Sequence, residues 1–320
     1  MTEGAATAAK DGLPVICLMG PTATGKTEIA VRLSECLRAD IISVDSALVY
    51  RGMDIGTAKP DAGVLAIAPH RLIDIRDPAE RYSAGDFVAD ARREIDDIHG
   101  QGRIPLLVGG TMMYFRSLID GIADLPPADA TIRHRLNAEA AEQGWAQLHS
   151  RLAKVDPTAA ERINENDSQR IQRALEVYEL SGKALTAWQA GAANVGLPYR
   201  IIKLALIPSD RSQLHGRIGL RLDSMFRRGF VEEVSGLMRL PGLSADSPSM
   251  RAVGYRQVRA HLDGQYDLQT AIHKARIATR QLAKRQMTWL RSETRLTVFE
   301  PLESDPFDAI YAFITKQMDE

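Results

Sequence analysis

Residues 15–27 read VICLMGPTATGKT, a stretch in which a short apolar run meets a glycine-rich turn. The apolar run 15–19 suits a buried parallel strand, and the glycines after it let the backbone point its N–H groups at a single anion. Residues 28–37 follow with apolar side chains at helical spacing, so the positive end of a helix dipole would face the same anion. The stretch therefore predicts a phosphate-binding loop. A chance turn of this composition is disfavoured because strand, loop and helix come in the required order.

The spacing within the loop indicates which groups contact the phosphates. Gly20 is followed by four residues and then by Gly25, Lys26 and Thr27. In a loop of this kind the lysine neutralises the outer phosphates, and the hydroxyl of the next residue ligates Mg²⁺. We therefore predict a site for a di- or triphosphate, with Mg²⁺ as the cofactor and Thr27 as its protein ligand.

The composition indicates a globular protein with a sizeable core. Of the 320 residues 45% are hydrophobic and 25% are charged, which suits one large domain and a smaller one. The only cysteines are Cys17 and Cys36, which excludes a disulfide framework or a four-cysteine zinc site. A net charge of −1 at pH 7 argues against a uniformly basic nucleic-acid binder but allows a local basic surface. No targeting region or membrane-spanning apolar run is visible, so we expect a cytoplasmic protein without membrane contact.

Strands and helices alternate in the first third of the chain. Residues 41–44 and 104–108 read as strands and 87–99 as a helix between them. This βαβ organisation predicts a parallel sheet with its site at the carboxyl ends of the strands. From Pro126 on, helical patterns replace strands until a strand over 200–207, after which helices are expected to dominate to the C-terminus.

The predicted fold class is α/β, a P-loop NTPase-like parallel sheet flanked by helices, with an all-helical insertion domain. Within the insertion, DSQRIQRALEVYELSGK reads as a helix that is capped by Asp167 or Ser168 and ends at Gly182. The predicted parts are a disordered tail over 1–12, a core with basic C-terminal helices over 13–125 and 198–320, and the helical insertion over 126–197.

Asp45 is the nearest acidic residue at a predicted strand end. A nucleotide hydrolase would end a later strand with an acidic metal ligand, but the strand over 104–108 ends in Gly-Gly-Thr, which disfavours hydrolysis. Asp45 follows the strand over 41–44 and would stand beside the phosphate loop, where it could accept a proton from an incoming nucleophile. The alternative roles for this carboxylate are a helix N-cap or an indirect partner of magnesium.

The stretch HKARIATRQLAKRQMTWLR, residues 273–291, contains no acidic residue. If it forms one helix, Arg276, Arg280, Lys284 and Arg291 fall within an arc of about 80°. A basic stripe of this kind suits a polyphosphate backbone, and a solvated charged face is an equal alternative. Other segments add cations, and also glutamines that could read base edges: Arg162, Arg170, Arg173, Arg251, Arg256, Gln169 and Gln172.

Taken together, the motifs resemble those of one enzyme family. GPTATGKT, SVDSALVYRGMDIGTAKP, VGGTMMYF, RIQRALEV, AVGYRQ and ATRQLAKRQMTWLR occur in this order over nearly the whole chain. The set is similar to that of the bacterial tRNA dimethylallyltransferases, whereas residues 1–12 fall outside the resemblance.

The resemblance implies a substrate and a reaction. The phosphate would be that of dimethylallyl diphosphate, and its five-carbon group would be transferred to N6 of the adenosine on the 3′ side of the anticodon, in tRNAs reading codons that begin with U. Asp45 would take the proton, and Thr111 would hydrogen-bond near the bridging oxygen. The implied diphosphate-binding residues are Gly20, Thr22, Ala23, Thr24, Gly25, Lys26, Thr27 and Arg221.

The resemblance also implies where the tRNA anticodon stem-loop binds. The target base would be flipped into a channel between core and insertion, and a monomer is expected because tRNA binding is asymmetric. The implied tRNA-binding residues are Asp45, Ser46, Ala47, Leu48, Thr111, Arg133, Gln169, Arg170, Ile171, Gln172, Arg173, Arg251, Gly254, Tyr255, Arg256, Arg280, Gln281, Lys284 and Arg285.

Two other classes of function fit parts of the sequence. A P-loop small-molecule kinase would share the phosphate loop and the fold class, but it would turn over ATP and would not need the basic helix. A non-catalytic RNA-binding module would leave Lys26 and Asp45 without a purpose.

Overall fold

Six parallel strands form the sheet on which the site is built. The computed structural model describes residues 12–191 and 196–320, so the predicted tail, apart from Gly12, and part of the loop after Gly191 lie outside the described residues. The strand order is β3-β2-β4-β1-β5-β6, and every neighbouring pair is parallel. The strands are β1 (Pro14–Met19), β2 (Ala39–Val44), β3 (His70–Arg71), β4 (Ile104–Gly109), β5 (Arg200–Leu206) and β6 (Leu296–Phe299).

Helices connect the strands, and the described elements between β4 and β5 are all helices. The first four are α1 (Lys26–Cys36), α2 (Ala62–Ile67), α3 (Ala84–Gly100) and α4 (Met112–Ile119). The next five are α5 (Ala130–Gln143), α6 (Trp145–Val155), α7 (Pro157–Arg162), α8 (Ser168–Ser181) and α9 (Leu185–Gly191). The last five are α10 (Arg211–Arg227), α11 (Phe230–Leu237), α12 (Tyr255–Leu262), α13 (Leu268–Ser292) and α14 (Phe307–Asp319).

β1 is central in the sheet and is buried on both faces. Val15 and Met19 point into a core that also contains residues of α3, α4 and α10 to α13, whereas Ile16 and Leu18 point into a second core covered by α1 and α14. A strand with both faces covered needs apolar side chains at every position rather than at every second one. This requirement explains the uninterrupted apolar run that precedes the glycine-rich loop.

The chain divides into two compact units. One runs up to Ile119 and resumes at Leu197, and the other is the helical segment Asp120–Gly196. The helical unit has its own apolar core, which includes Leu136, Leu152 and Ile171. Its helix α8 is capped by Asp167, whose side chain accepts a hydrogen bond from the amide of Arg170, and it ends at Gly182, whose φ is +66°. Asp167 rather than Ser168 is therefore the cap.

Helices dominate from β5 to the C-terminus, as expected, but the sequence prediction missed the strand β6. This strand has four residues, pairs with β5 and forms the edge of the sheet. Its four residues are too few for a continuous apolar run or a long alternation, so the sequence does not predict it, and its Val298 is 52% exposed. β3 is shorter still, with two residues. Among the described residues, no helix is both long and apolar enough to cross a membrane.

Gly109 brings the carboxyl ends of β2 and β4 into close contact. It pairs with Val44, and a Cβ atom built on Gly109 would lie 2.0 Å from the carbonyl oxygen of Val44. The same carbonyl accepts a hydrogen bond from the amide of Thr111 at 3.2 Å, and Thr111 Oγ1 accepts one from the amide of Ser46 at 3.1 Å. A side chain at residue 109 would therefore push apart the two strand ends that carry Asp45 and Thr111.

The variant Gly109→Ala should lower the free energy of unfolding by at least about 1–3 kcal/mol, the usual cost of overpacking, because the blocking atom is backbone. Gly236→Ala in α11 is the matched control. A Cβ there meets no atom within 4 Å, so this change should be neutral or stabilise by up to about 1 kcal/mol. Urea unfolding followed by circular dichroism measures both. Equal midpoints for Gly109→Ala and wild type would show that the strand ends separate easily.

Candidate active site

The glycine-rich loop between β1 and α1 is folded around one carbonyl oxygen. Pro21 O accepts hydrogen bonds from Thr24 Oγ1 at 2.9 Å and from Lys26 Nζ at 2.6 Å. Gly25 is the N-cap of α1 with a φ of +87° and has no side chain to bond the first amides of the helix. The start of α1 therefore presents backbone N–H groups and the positive end of its dipole, as the sequence predicts for an anion site.

Lys26 lies in an environment that disfavours its charge. Burial lowers the pKa of Lys26 to about 7, the positive charge of Arg221 adds to this effect, and the negative charge of Asp45 opposes it. Burial likewise lowers the pKa of Arg221, again opposed by Asp45. The positive charges of Lys26 and Arg221 are thus only partly balanced by the negative charge of Asp45. A bound diphosphate would supply further negative charge.

The loop opens into a cavity of about 550 Å³ at the carboxyl ends of the strands. Arg221 and Arg217 both line it, because they are four residues apart on α10 and share one face of that helix. Arg217 Nη2 is 4.0 Å from the position that a Cβ on Gly25 would take. The sequence prediction missed Arg217, although the spacing of Arg217 and Arg221 was the available signal. The residues that line the cavity are Thr22 to Thr27, Ser43, Asp45, Leu48, Thr57, Ala58, Pro60, His70, Val108 to Gly110, Arg217, Leu220, Arg221 and Gln286.

Asp45 uses its two carboxylate oxygens differently. Oδ1 accepts hydrogen bonds from the amides of Ala47 at 2.8 Å and Leu48 at 3.3 Å, so it caps the turn that follows β2. Within the described part of the chain, Oδ2 has no hydrogen-bond partner, while the residue lines the cavity. From the sequence, capping and proton acceptance are alternative roles for Asp45. In the structure Oδ1 caps the turn, and Oδ2 is left as a candidate proton acceptor.

Gln286 of α13 joins the phosphate loop to the end of β4. Its Oε1 accepts a hydrogen bond from the amide of Thr22 at 3.0 Å, and its Nε2 donates one to Gly110 O at 2.8 Å. A Cβ on Gly110 would lie 2.3 Å from that Nε2, so the glycine makes room for the amide group. The amide of Thr22, a predicted diphosphate ligand, is therefore occupied. Sequence reasoning missed Gln286 as a site residue because its partners lie far away in the chain.

Two further polar groups line the cavity from the neighbouring strands. Ser43 is buried, and among the described residues its Oγ has no hydrogen-bond partner. His70 Nδ1 donates a hydrogen bond to Ala68 O at 2.7 Å. Burial lowers the pKa of the His70 imidazole, and this hydrogen bond partly offsets the decrease. Ser43 follows Ile41 by two residues, and Ile41 pairs with His70, so Ser43 and His70 lie on the same face of the sheet.

The predicted RNA-contact residues in the sheet-containing unit fall into three groups by their exposure. Gly254 and Tyr255 are buried, and Tyr255 packs on Phe230 with its hydroxyl bonded to Glu233, so the prediction that they contact RNA is corrected: they shape the core. Ala47, Leu48 and Arg280 are partly exposed. The exposed residues are Ser46, Arg251, Arg256, Gln281, Lys284 and Arg285.

The predicted basic stripe on α13 is only partly available to a partner. Arg276 forms an ion pair with Asp223 of α10 at 2.8 Å, which holds its guanidinium against that helix. Arg280 is half-buried, and its Nε has no hydrogen-bond partner in the part of the chain that the structure describes. Lys284 and Arg291 are exposed. The free end of the stripe is therefore its C-terminal half.

In the helical unit, Glu176 neutralises part of the predicted RNA surface. It is fully buried and accepts hydrogen bonds from Arg133 at 2.8 and 3.0 Å and from Arg173 at 2.8 Å. Burial alone would raise the pKa of Glu176, but these bonds and the amide of Asp129 hold it below its usual value. Several N–H groups of Arg133 and Arg173 are therefore bonded to a buried carboxylate and are not available to RNA.

The other predicted contacts of this unit also differ in availability. Ile171 lies in the apolar core with no exposed surface, so the prediction that its side chain contacts RNA is corrected. Gln172 donates to Asn137 Oδ1 at 2.7 Å, which ties α8 to α5. Gln169 and Arg170 are exposed, although Arg170 also pairs with Asp167 at 2.5 Å.

Comparison with known proteins places this site in a family. The profile described as IPP transferase matches residues 48–293, which is more than half of the chain. The chain belongs to the IPP transferase family. It is 57% identical over 286 residues to a tRNA dimethylallyltransferase of Alkalilimnicola ehrlichii, covering 89% of this chain and 90% of the relative. It is 56% identical over 293 residues to the protein of the same description in Thioalkalivibrio sulfidiphilus, covering 92% of each.

Solved structures of this family share the fold. The full-length tRNA isopentenylpyrophosphate transferase of Bacillus halodurans has a TM-score of 0.71 and 37% identity, covering 96% of this chain and 97% of that chain. A eukaryotic dimethylallyltransferase described as acting on tRNA has a TM-score of 0.80 and 25% identity, covering 96% and 79%. These neighbours have a P-loop NTPase-like fold, which confirms the predicted fold class.

Because the pKa of Lys26 is about 7 in the free protein, anion binding should take up a proton above that pH. A bound diphosphate raises the pKa of this lysine, so affinity should fall as the pH rises from 7 to 9, by at most about tenfold per pH unit. Isothermal titration calorimetry with inorganic pyrophosphate, in buffers of different ionisation enthalpy, measures affinity and proton uptake together. Lys26→Met removes the titrating side chain. Subtracting the pH profile of this variant from that of wild type therefore removes the contribution of pyrophosphate protonation and leaves that of Lys26. Identical pH profiles would place Lys26 away from the anion.

Proposed function

We propose that this protein transfers the dimethylallyl group of dimethylallyl diphosphate to N6 of the adenosine on the 3′ side of the anticodon, in tRNAs reading codons that begin with U. The observation that carries the proposal is one cavity in which a phosphate loop faces an acidic turn at the end of β2, with no acidic residue at the end of β4. Family membership supports it, because curated relatives of more than 55% identity are described as tRNA dimethylallyltransferases.

The donor diphosphate binds to the loop at the start of α1. The amides of residues 23–27, the ammonium of Lys26 and the guanidinium groups of Arg217 and Arg221 converge on the cavity and stabilise the charge that develops on the leaving diphosphate. Apolar side chains that line the same cavity are available to the five-carbon tail: Leu48, Ala58, Pro60, Val108 and Leu220.

Magnesium is the cofactor that fits this donor set. The cavity is lined by the exposed Thr27, by Asp45 and by the buried Ser43, whose hydroxyl has no hydrogen-bond partner among the described residues. These are the hard oxygen donors that Mg²⁺ prefers. Thr27 would hold the ion, and the hydroxyl of Ser43 lies in the lining of the same cavity. When bound, the ion supplies positive charge to the diphosphate oxygens.

The acceptor amine attacks C1 of the donor, and Asp45 takes its proton. The bond between N6 and C1 forms as the bond between C1 and the diphosphate oxygen breaks, and the diphosphate leaves with the electron pair. Oδ2 of Asp45 accepts the proton of N6, while Oδ1 stays bonded to the turn amides and keeps the carboxylate in place. Thr111 is held against Val44 and Ser46 at the end of β4, and we propose that its hydroxyl hydrogen-bonds near the bridging oxygen.

The tRNA binds to exposed cations on both units. On α13 these are Lys284, Arg285 and the partly exposed Arg280, and in the helical unit Arg170 is exposed beside Gln169. Phosphate contacts of this kind supply most of the affinity of a nucleic-acid complex. A tRNA substrate also supports a cytoplasmic location, and its asymmetry supports a monomer.

A P-loop small-molecule kinase is not favoured. It would share the loop, but it would not account for the family match over residues 48–293 or for the exposed cations of α13. The discriminating measurement is turnover of labelled ATP with candidate small-molecule acceptors, which should be absent.

Transfer of labelled dimethylallyl from its diphosphate to a tRNA transcript tests the function, and Asp45→Asn tests the mechanism. The variant keeps an oxygen for the turn amides but loses the proton acceptor, so the chemical step should slow by about 10²- to 10⁴-fold, with a much smaller change in tRNA affinity. Rapid-quench single-turnover kinetics separates chemistry from product release. No transfer by the wild-type protein would refute the function. A chemical step within about threefold of wild type in Asp45→Asn would assign proton removal to another group.

Replacing Arg280 and Lys284 together by Ala should weaken tRNA binding and flatten its dependence on salt. Each lost phosphate contact removes about 0.7 to 0.9 units from the slope of log K against log salt concentration. Lys316→Ala is the matched control, because Lys316 is an exposed cation on α14. Filter-binding titrations at several salt concentrations give the slopes. If the double variant and the control share one slope, these side chains are merely solvated.

A further inference from the structure

Glu233 of α11 binds three consecutive backbone amides of the segment 54–59. Its Oε2 accepts hydrogen bonds from the amides of Asp54 at 3.0 Å and Ile55 at 2.6 Å, and its Oε1 accepts one from the amide of Gly56 at 3.1 Å. Oε1 also accepts the hydroxyl hydrogen of Tyr255 at 2.6 Å. One carboxylate thus accepts from four donors, which is about the full acceptor capacity of its two oxygens.

The bound segment has no helix or strand of its own and is fixed from both ends. At Gly56 the backbone approaches α11 so closely that a Cβ atom would lie 2.1 Å from Phe230 Cε2 and 2.6 Å from Tyr255 Cε2. At the other end, Lys59 is 5% exposed and bonds Tyr50 O at 3.0 Å, Asp54 Oδ1 at 2.6 Å and Asp74 Oδ1 at 2.5 Å. The carbonyl groups between these anchors therefore have defined directions.

The residue after Gly56 connects this anchor to the donor cavity. Thr57 O accepts a hydrogen bond from Arg221 Nη2 at 3.0 Å, and both residues line the cavity. Among the described residues this is the hydrogen bond that orients the guanidinium of Arg221. Gly56 and Thr57 are consecutive residues, so the amide that Glu233 binds and the carbonyl that accepts from Arg221 belong to one short stretch of backbone.

We infer that Glu233 is a positioning residue that sets the orientation of Arg221 toward the donor diphosphate, and that Tyr255 supports it. The inference rests on the proposed function, because it takes Arg221 to bind diphosphate. Glu233 does not touch the donor. Its loss leaves the amides of residues 54–56 without their acceptor. Thr57 is then held by the bonds of its own hydroxyl to Met53 O at 2.6 Å and Asp54 O at 3.3 Å, and its carbonyl orients Arg221 less firmly.

A double-mutant cycle tests the inference with pyrophosphate affinity as the readout. Glu233→Gln should weaken pyrophosphate binding about tenfold. The glutamine side chain has a single acceptor oxygen, and its NH₂ group would face backbone N–H groups to which it cannot hydrogen-bond. In an Arg221→Ala background the same change should have almost no further effect, because the orientation of a missing side chain cannot matter. Glu232→Gln is the matched control, since Glu232 is an exposed carboxylate on the same helix.

The outcomes separate this inference from the proposed function. Equal effects of Glu233→Gln in the two backgrounds would overturn the positioning role, since general loosening of the fold does not depend on Arg221. If Glu233→Gln fails to fold, Tyr255→Phe removes the hydroxyl alone, and the same cycle with Arg221→Ala applies, with a smaller loss expected. In transfer assays Glu233→Gln should raise the KM for dimethylallyl diphosphate more than the KM for tRNA. A wild-type protein that neither binds pyrophosphate nor transfers the dimethylallyl group would refute both proposals.

Discussion

The structure depends on keeping one set of backbone amides unpaired at the end of a buried strand. Those amides belong to the loop after β1, and hydrogen bonds within the loop and to α13 hold its backbone in place. Pro21 O accepts hydrogen bonds from the side chains of Thr24 and Lys26, and Gln286 accepts one from the amide of Thr22. Free N–H groups in a partly buried place are costly, so they persist only where the surrounding contacts are fully determined.

The parts of this site that follow one another in the chain were predictable. The strand, the glycine-rich loop, Lys26 and the start of α1 are local features, governed by apolar runs and glycine spacing. Gln286 and Glu233 were not predictable as site residues, because their partners lie 264 and about 178 residues away in the chain. No periodicity reports such a pairing, and the folded chain alone brings these groups together.

Motif membership predicted importance but not exposure. Tyr255 and Ile171 lie in stretches that resemble RNA-binding motifs, yet both are buried with no exposed surface. A motif of this kind contains exposed residues, which contact a partner, and buried residues, which support them from below. The sequence does not show which residue belongs to which group. The same limit applies to charge, because Arg133 is cationic in the sequence but is paired with the buried Glu176 in the fold. The basic surface is therefore smaller than the count of arginines indicates.

Helix α13 has an inner side chain, Gln286, on the phosphate loop and outer cations, such as Lys284, in solvent. The two positions are two residues apart, so a rotation of the helix about its axis moves both at once. Insertion or deletion of a single residue between them would turn one group away from its place by about 100°. The short interval between Lys284 and Gln286 is thus intolerant of changes in length, whereas the loop that precedes α13 is free to vary without disturbing this register.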